Sequence, residues 1–299
     1  TFLPIEQIDE MDHWEGSQLN RAKEILALEL TRMVHGEEEA QKAEAAAKAL
    51  FVSGGASADM PTTALSPEEI GRLCALVKSV RPDLAVLVDN SYGEFVCETE
   101  PLQHGADLQA ASLIKNPGGG LAPCGGYIAG RADLVERAAA RMTLPGIGGE
   151  CGATLGVNRS LYQGLFLAPH VTAQAVKTEA FCAGVLQELG YGVSPTAEEP
   201  RYDIIQTIDF GAAQPLIRFC QGIQSASPVD SFASPVPGEM PGYEDPVIMA
   251  AGTFIQGSSI ELSCDAPLRE PYTCYLQGGL TYESGKLGIL RAAERMLEA

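Results

Sequence analysis

Basic residues are scarce in this 299-residue chain: 20 Lys and Arg stand against 39 Asp and Glu, a net charge of −19. A broad grip on phosphate backbones comes from clustered Lys and Arg, so this balance excludes it and leaves only local contacts with nucleic acid. No stretch approaches the roughly 18 to 20 consecutive apolar residues of a membrane span, and the opening TFLPIEQIDE is too acidic for a signal peptide. A cytoplasmic protein without membrane partners is the expectation. The eight cysteines form no C-x-x-C pair and no compact cluster of the zinc-holding kind. No metal site is therefore expected, and the thiols are read as reduced and mostly buried. Internal repeats are absent too, and the chain opens on Thr1 rather than Met, as a processed chain or a fragment does.

What is present suffices for a core, since 45% of the residues are hydrophobic. From Leu3 to Phe51 apolar residues recur at three- and four-residue steps, which predicts helices and no strand. Gly36 marks a helix stop, and the acidic run Glu37 to Glu39 suits the start of the next helix. VSGGASADMPTTALSPEE then reads as a linker. Ser66, Pro67 and Glu69 have the spacing of a capping box for a helix over SPEEIGRLCALVKSV. Beyond it, AVLVDN reads as a buried parallel strand, ADLQAASLI and GGYIAG as further strands, and RADLVERAAARM as a helix. A long helix is expected over about 158–189. IIQTIDF, VIMAAGTFI, SIELSC, a helix around PLIRFCQGI and a closing helix from Gly285 suggest a smaller α+β domain. The expected class is α/β with a mainly parallel sheet, divided into a helical segment at 1–52, a linker at 53–65, a cofactor-binding large domain at 66–190 and a small domain at 191–299.

Asp89 ends the apolar run AVLV, where a strand delivers its carboxylate to the ligand-binding edge of an α/β sheet. Ser112 and Lys115 end the next strand and lead into Asn116-Pro117-Gly118-Gly119-Gly120, a loop whose glycines let backbone approach a ligand closely. That loop lacks the following Lys-Ser/Thr of a P-loop, so nucleotide binding is a weaker alternative. A lysine amine, a carboxylate and a hydroxyl are what an aldehyde cofactor such as pyridoxal phosphate requires: one bonds the aldehyde, one keeps the pyridine nitrogen protonated and one holds the phosphate. Tyr92 and Glu94 stand near Asp89 and either line the pocket or pack a turn. His170 falls in a helix and reads as structural. Arg269 offers two parallel hydrogen bonds to a substrate carboxylate, or a surface ion pair to Glu270.

From about Ser66 to Ala299 the motifs VDNSYGEF, GADLQAASLIKNPGGGLAPCGGYIAG, NRSLYQGLFLAPH, MPGYEDPVIMAAGTFIQG and REPYTCYLQGGLTYE resemble the methionine gamma-lyase-related family often labelled aluminium resistance proteins, which are fold-type-I pyridoxal-phosphate enzymes. The resemblance implies a truncated type-I large domain and a carbon–sulfur lyase-like function on a small amino-acid substrate. Asp89 is then the pyridine-nitrogen partner, Lys115 the lysine joined to the aldehyde and Ser112 a phosphate ligand. Ile114 stands where the wider group often has a Thr or Ser. The family's upstream segment, with its glycine-rich phosphate turn and ring-stacking aromatic, is not found here, which implies impaired activity, and the family's dimeric sites imply a homo-oligomer. Residues 1 to 64, in TFLPIEQIDEM, LNRAKEILALELTRMVHGEEEAQKA and AAKALF, resemble the helical anticodon-recognition region of bacterial tyrosyl-tRNA synthetases, without their catalytic signatures. A tRNA partner is implied only if those helices act alone, and an inactive fusion or assembly artefact is the remaining alternative.

Overall fold

The computed structural model describes residues 5–11, 13–14, 18–38, 40–42, 44, 65–143, 146–150, 156–240 and 243–298. Two units separate by their internal packing, one of Thr1–Thr63 with Gly238–Val247 and one of Ala64–Pro237 with Ile248–Ala299. The first contains helices α1 (Ile5–Met11) and α2 (Gln18–His35). Gly36 stops α2 as expected: its amide returns to the Arg32 carbonyl at 2.9 Å with φ at +86°, a left-handed conformation that glycine adopts without steric cost. Helix resumes at Glu37, whose carboxylate takes a 2.5 Å contact from Arg32. Most of the expected linker, and the helix end at 45–51, lie outside the described residues.

In the second unit, α3 (Pro67–Val80) begins with the capping box read from the sequence. Ser66 Oγ accepts from the Glu69 amide at 3.2 Å, and Glu69 Oε2 accepts from the Ser66 amide at 2.9 Å. Strands β1 (Leu87–Asp89), β2 (Leu108–Ser112) and β3 (Gly126–Gly130) follow in that spatial order. β1 pairs with β2 in parallel, whereas β2 pairs with β3 antiparallel. The mainly parallel sheet is thus corrected: the segment from β2 to β3 contains one 3₁₀ turn and no crossover helix, so it returns antiparallel. β1 is also shorter and less buried than AVLVDN suggests, because it is an edge of this sheet, and Leu87 stays 59% exposed.

Helices α4 (Ala132–Met142) and α5 (Asn158–Glu188) come next, the second within a residue of expectation. The remaining elements are β4 (Gly192–Ser194), β5 (Ile205–Asp209), α6 (Ala213–Ser225), β6 (Val247–Ala250), β7 (Ser263–Pro267), β8 (Thr273–Gln277) and α7 (Tyr282–Leu297). The strands form a five-stranded sheet in the order β4-β5-β8-β7-β6. Alternate residues of β5 and β8 point inward, Ile208, Cys274 and Leu276 among them, and meet Leu186 of α5, Leu216, Phe219 and Ile223 of α6, and Ile289 and Ala292 of α7. Burying a side chain the size of Phe219 or Ile289 contributes about 1.5–3 kcal/mol each, so this cluster is the main apolar store of the unit. Val171 and Ala175 of α5 join Ile204, Ile260, Tyr92 and Leu280 in a second cluster, which underlies the lysine site.

Candidate active site

The parallel pairing sets the site. Asp89 lies opposite Ala110, so the carboxyl ends of β1 and β2 leave the sheet at one edge and carry Asp89, Ser112 and the segment to Lys115 there together. Asp89 and Ser112 line one groove of about 680 Å³ with Ser91, Ala110, Ile128 and Met142. Asp89 Oδ1 also accepts from the Ser91 amide at 3.0 Å, so the turn role weighed for it is present beside its groove position. Among the described residues Ser112 Oγ has only long partners, Gly125 O at 3.5 Å and the Ile114 amide at 3.4 Å.

Lys115, just beyond the end of β2 and outside this groove's lining, meets a second group. Its Nζ donates to the Tyr92 hydroxyl at 2.6 Å and to the Ser258 carbonyl at 2.7 Å, and sits 4.2 Å from the centre of the Tyr92 ring. The Tyr92 hydroxyl in turn donates to the same carbonyl at 3.2 Å. No carboxylate among the described residues pairs with this amine. Tyr92 and Ser258 are both left-handed, with φ of +75° and +56°, and a non-glycine residue is held there only where its surroundings over-determine it. The surroundings are identifiable. Asn116, fully buried, donates Nδ2 to the Tyr92 and Glu94 carbonyls at 2.9 Å each. Glu261, also buried, accepts from the Phe254 amide at 2.9 Å, the Ile255 amide at 2.8 Å and Ser259 Oγ at 3.1 Å, closing the loop that presents Ser258. The Ile260 amide ties that loop to the Ile114 carbonyl at 3.1 Å.

The glycines after Lys115 allow close packing within the chain. A Cβ on Gly118 would lie 2.0 Å from the Leu113 carbonyl oxygen, one on Gly119 would lie 2.4 Å from the Gly164 carbonyl oxygen, and one on Gly120 would lie 2.4 Å from Leu280. They let the turn press against α5 and its surroundings, and so seat Lys115.

Tyr92 therefore contacts the lysine directly, while Glu94 is buried behind it. Tyr127 donates to Glu94 Oε1 at 3.0 Å, and burial pushes the Glu94 carboxyl up to about 7. His170 is exposed on α5. Arg269 is placed in the connection between β7 and β8, where its carbonyl accepts from the Tyr272 amide at 2.6 Å. Sequence reading missed Ser258 and Glu261. Folding also gathers Cys220, Cys264 and Cys274 in the core, a grouping their spacing in sequence does not show.

With this geometry in hand, comparison with known proteins is decisive over most of the chain. The family model described as methionine gamma-lyase matches residues 38–297. The chain belongs to the methionine gamma-lyase family. The uncharacterized protein YnbB of Bacillus subtilis is 52% identical over 230 residues, 77% of this chain and 55% of that protein. A solved structure described as a carbon-sulfur lyase involved in aluminum resistance, from Clostridium novyi NT, is 55% identical and superimposes with a TM-score of 0.74, covering 78% of this family member and 55% of that chain. The present chain thus spans little more than half the length of these relatives, and its α/β class is theirs. A separate likeness covers the amino-terminal part: the tyrosine–tRNA ligase of Clostridium beijerinckii is 49% identical over 71 residues, 24% of this chain and 18% of that enzyme.

Proposed function

We propose that this chain contributes the lysine side of a pyridoxal-phosphate site for carbon–sulfur bond cleavage on a small amino acid. The observation that carries the reading is the Lys115 amine, beside the carboxyl ends of β1 and β2, held by the Tyr92 hydroxyl and the Ser258 carbonyl and neutralised by no described carboxylate. The residue types fit the cofactor: Lys115 to bond its aldehyde, Asp89 to face its pyridine nitrogen, Ser112 with its loosely held hydroxyl to meet its phosphate. When bound, the cofactor supplies an electron sink for negative charge at the substrate carbon next to nitrogen. The chain's own work is positioning and proton handling. Ser258 and the Tyr92 ring orient Nζ, and the Tyr92 hydroxyl at 2.6 Å is within reach to pass a proton to or from it. Arg269 is assigned the substrate carboxylate, residues 66–190 the cofactor and residues 191–299 the small domain. Relatives nearly twice as long hold further site walls in this reading, so activity of this chain alone is expected to be weak and assisted by a homo-oligomer. The seven described cysteines are free thiols, which supports a cytoplasmic setting.

No tRNA-binding role is proposed for the amino-terminal helices. Thiol release from L-cystathionine and L-methionine, measured with added pyridoxal phosphate, tests the function. Release that needs the cofactor and vanishes in Lys115→Ala supports it; release that survives in that variant refutes the assignment.

A further inference from the structure

The lyase reading leaves one group of soft ligands unused. Cys220 on α6, Cys264 on β7 and Cys274 on β8 place their sulfurs within 4.8 Å of one another, and Cys264 Sγ lies 3.6 Å from Cys220 Sγ. All three are buried, at 0%, 4% and 0% exposure, among Leu216, Phe219 and Ile208. The two strand cysteines share a face because Cys264 pairs with Leu276, two residues from Cys274. Three elements of regular structure thus fix the sulfur positions, a firmer frame than loops provide.

The ligand chemistry narrows the occupant. Sulfur-only sites favour soft cations and reject magnesium and calcium, which require oxygen. Structural zinc closes a tetrahedron of four ligands, and this group offers three. Charge narrows it further, since an apolar core penalises any net charge left uncompensated. A monovalent cation that replaces one thiol proton leaves the group neutral, whereas a divalent one requires two thiolates.

We propose that Cys220, Cys264 and Cys274 bind one Cu(I) ion as a three-sulfur site. One of the three thiols releases its proton to solvent as its sulfur bonds the metal, the other two donate sulfur lone pairs, and no electron is transferred. The site is independent of pyridoxal phosphate.

The test uses the full chain, reduced and anaerobic, and a variant in which Cys74, Cys97, Cys124, Cys151 and Cys182 are replaced by alanine. Each is titrated with Cu(I) delivered as its bicinchoninate complex, then desalted. The five-alanine chain is expected to retain one copper, release one proton on loading and give an X-ray absorption first shell of three sulfurs. Adding Cys274→Ala should abolish retention. If the five-alanine chain does not fold, the parent is compared with its Cys220→Ala variant, which should retain one copper fewer. A folded chain that keeps no copper, a first shell containing oxygen or nitrogen, or equal retention with and without Cys220 or Cys274 overturns the proposal.

Discussion

At the scale of single residues, Asn116 and Glu94 lead to different predictions. Asn116 satisfies two carbonyls from a fully buried position. Asn116→Ala strands both, at roughly 1–3 kcal/mol for a buried group left unpaired, and Asn116→Asp should be worse at neutral pH because an ionised carboxylate would face two carbonyls. Urea midpoints of the three chains check the order; an aspartate variant as stable as the parent would contradict this placement. Glu94 governs pH dependence. With its carboxyl raised to about 7 by burial, the folded chain keeps a proton that the unfolded chain has already lost. Stability therefore falls as pH rises from the ordinary carboxylate range toward 7, by at most roughly 3 kcal/mol from this group. Glu94→Gln should flatten that slope, read from urea midpoints near pH 5 and pH 7.5; an unchanged slope places its source elsewhere. Lys115 could be singled out as a candidate, because a lysine between a strand end and a glycine-rich loop is unusual in local sequence. Its partner Ser258 could not be: it lies 143 residues away and acts through a backbone carbonyl, which any residue type supplies. The cysteine group was hidden likewise, since Cys220 and Cys264 are 44 residues apart and meet only when α6 packs on the sheet.

Secondary-structure elements were legible where local chemistry decides them. The Ser66 capping box and the Gly36 stop are short-range hydrogen-bond devices, and both were found where the sequence placed them. β4 has three residues, too few for a period to register. SIELSC looked like one strand, but β7 starts only at Ser263, because Glu261 is taken up by the amides of Phe254 and Ile255 and Ile260 bonds to Ile114. The contact between α5 and the lysine turn gives the prediction at this scale. Alanine usually favours a helix interior over glycine by about 1 kcal/mol. At Gly164 the added Cβ would lie 2.2 Å from the Gly118 carbonyl oxygen, a backbone clash that must move the turn. Gly164→Ala should therefore lower stability by about 1–3 kcal/mol and reduce the accessibility-corrected reactivity of Lys115 toward aldehydes. Calorimetry and peptide-level labelling measure the two effects, and a stabilised variant with unchanged labelling would show that α5 does not seat the turn.

For the molecule as a whole, family membership rests on a match across residues 38–297, while the chain spans 55% of the Bacillus subtilis relative. The two resemblances read from the sequence both reappear in the comparisons, one over most of the chain and one over its amino-terminal part. Dense local motifs made that legible without any knowledge of packing. What the motifs could not reveal was how the lysine is held, since this depends on two left-handed residues brought together from distant segments. The account's central claim is that Lys115 is the amine that takes the cofactor. Its most direct test is to incubate the chain with pyridoxal phosphate, reduce with borohydride and map the modified peptide by mass spectrometry. The account predicts a single stoichiometric label on Lys115 within SLIKNPGGG. A folded chain labelled elsewhere, or on many lysines without preference, would contradict it.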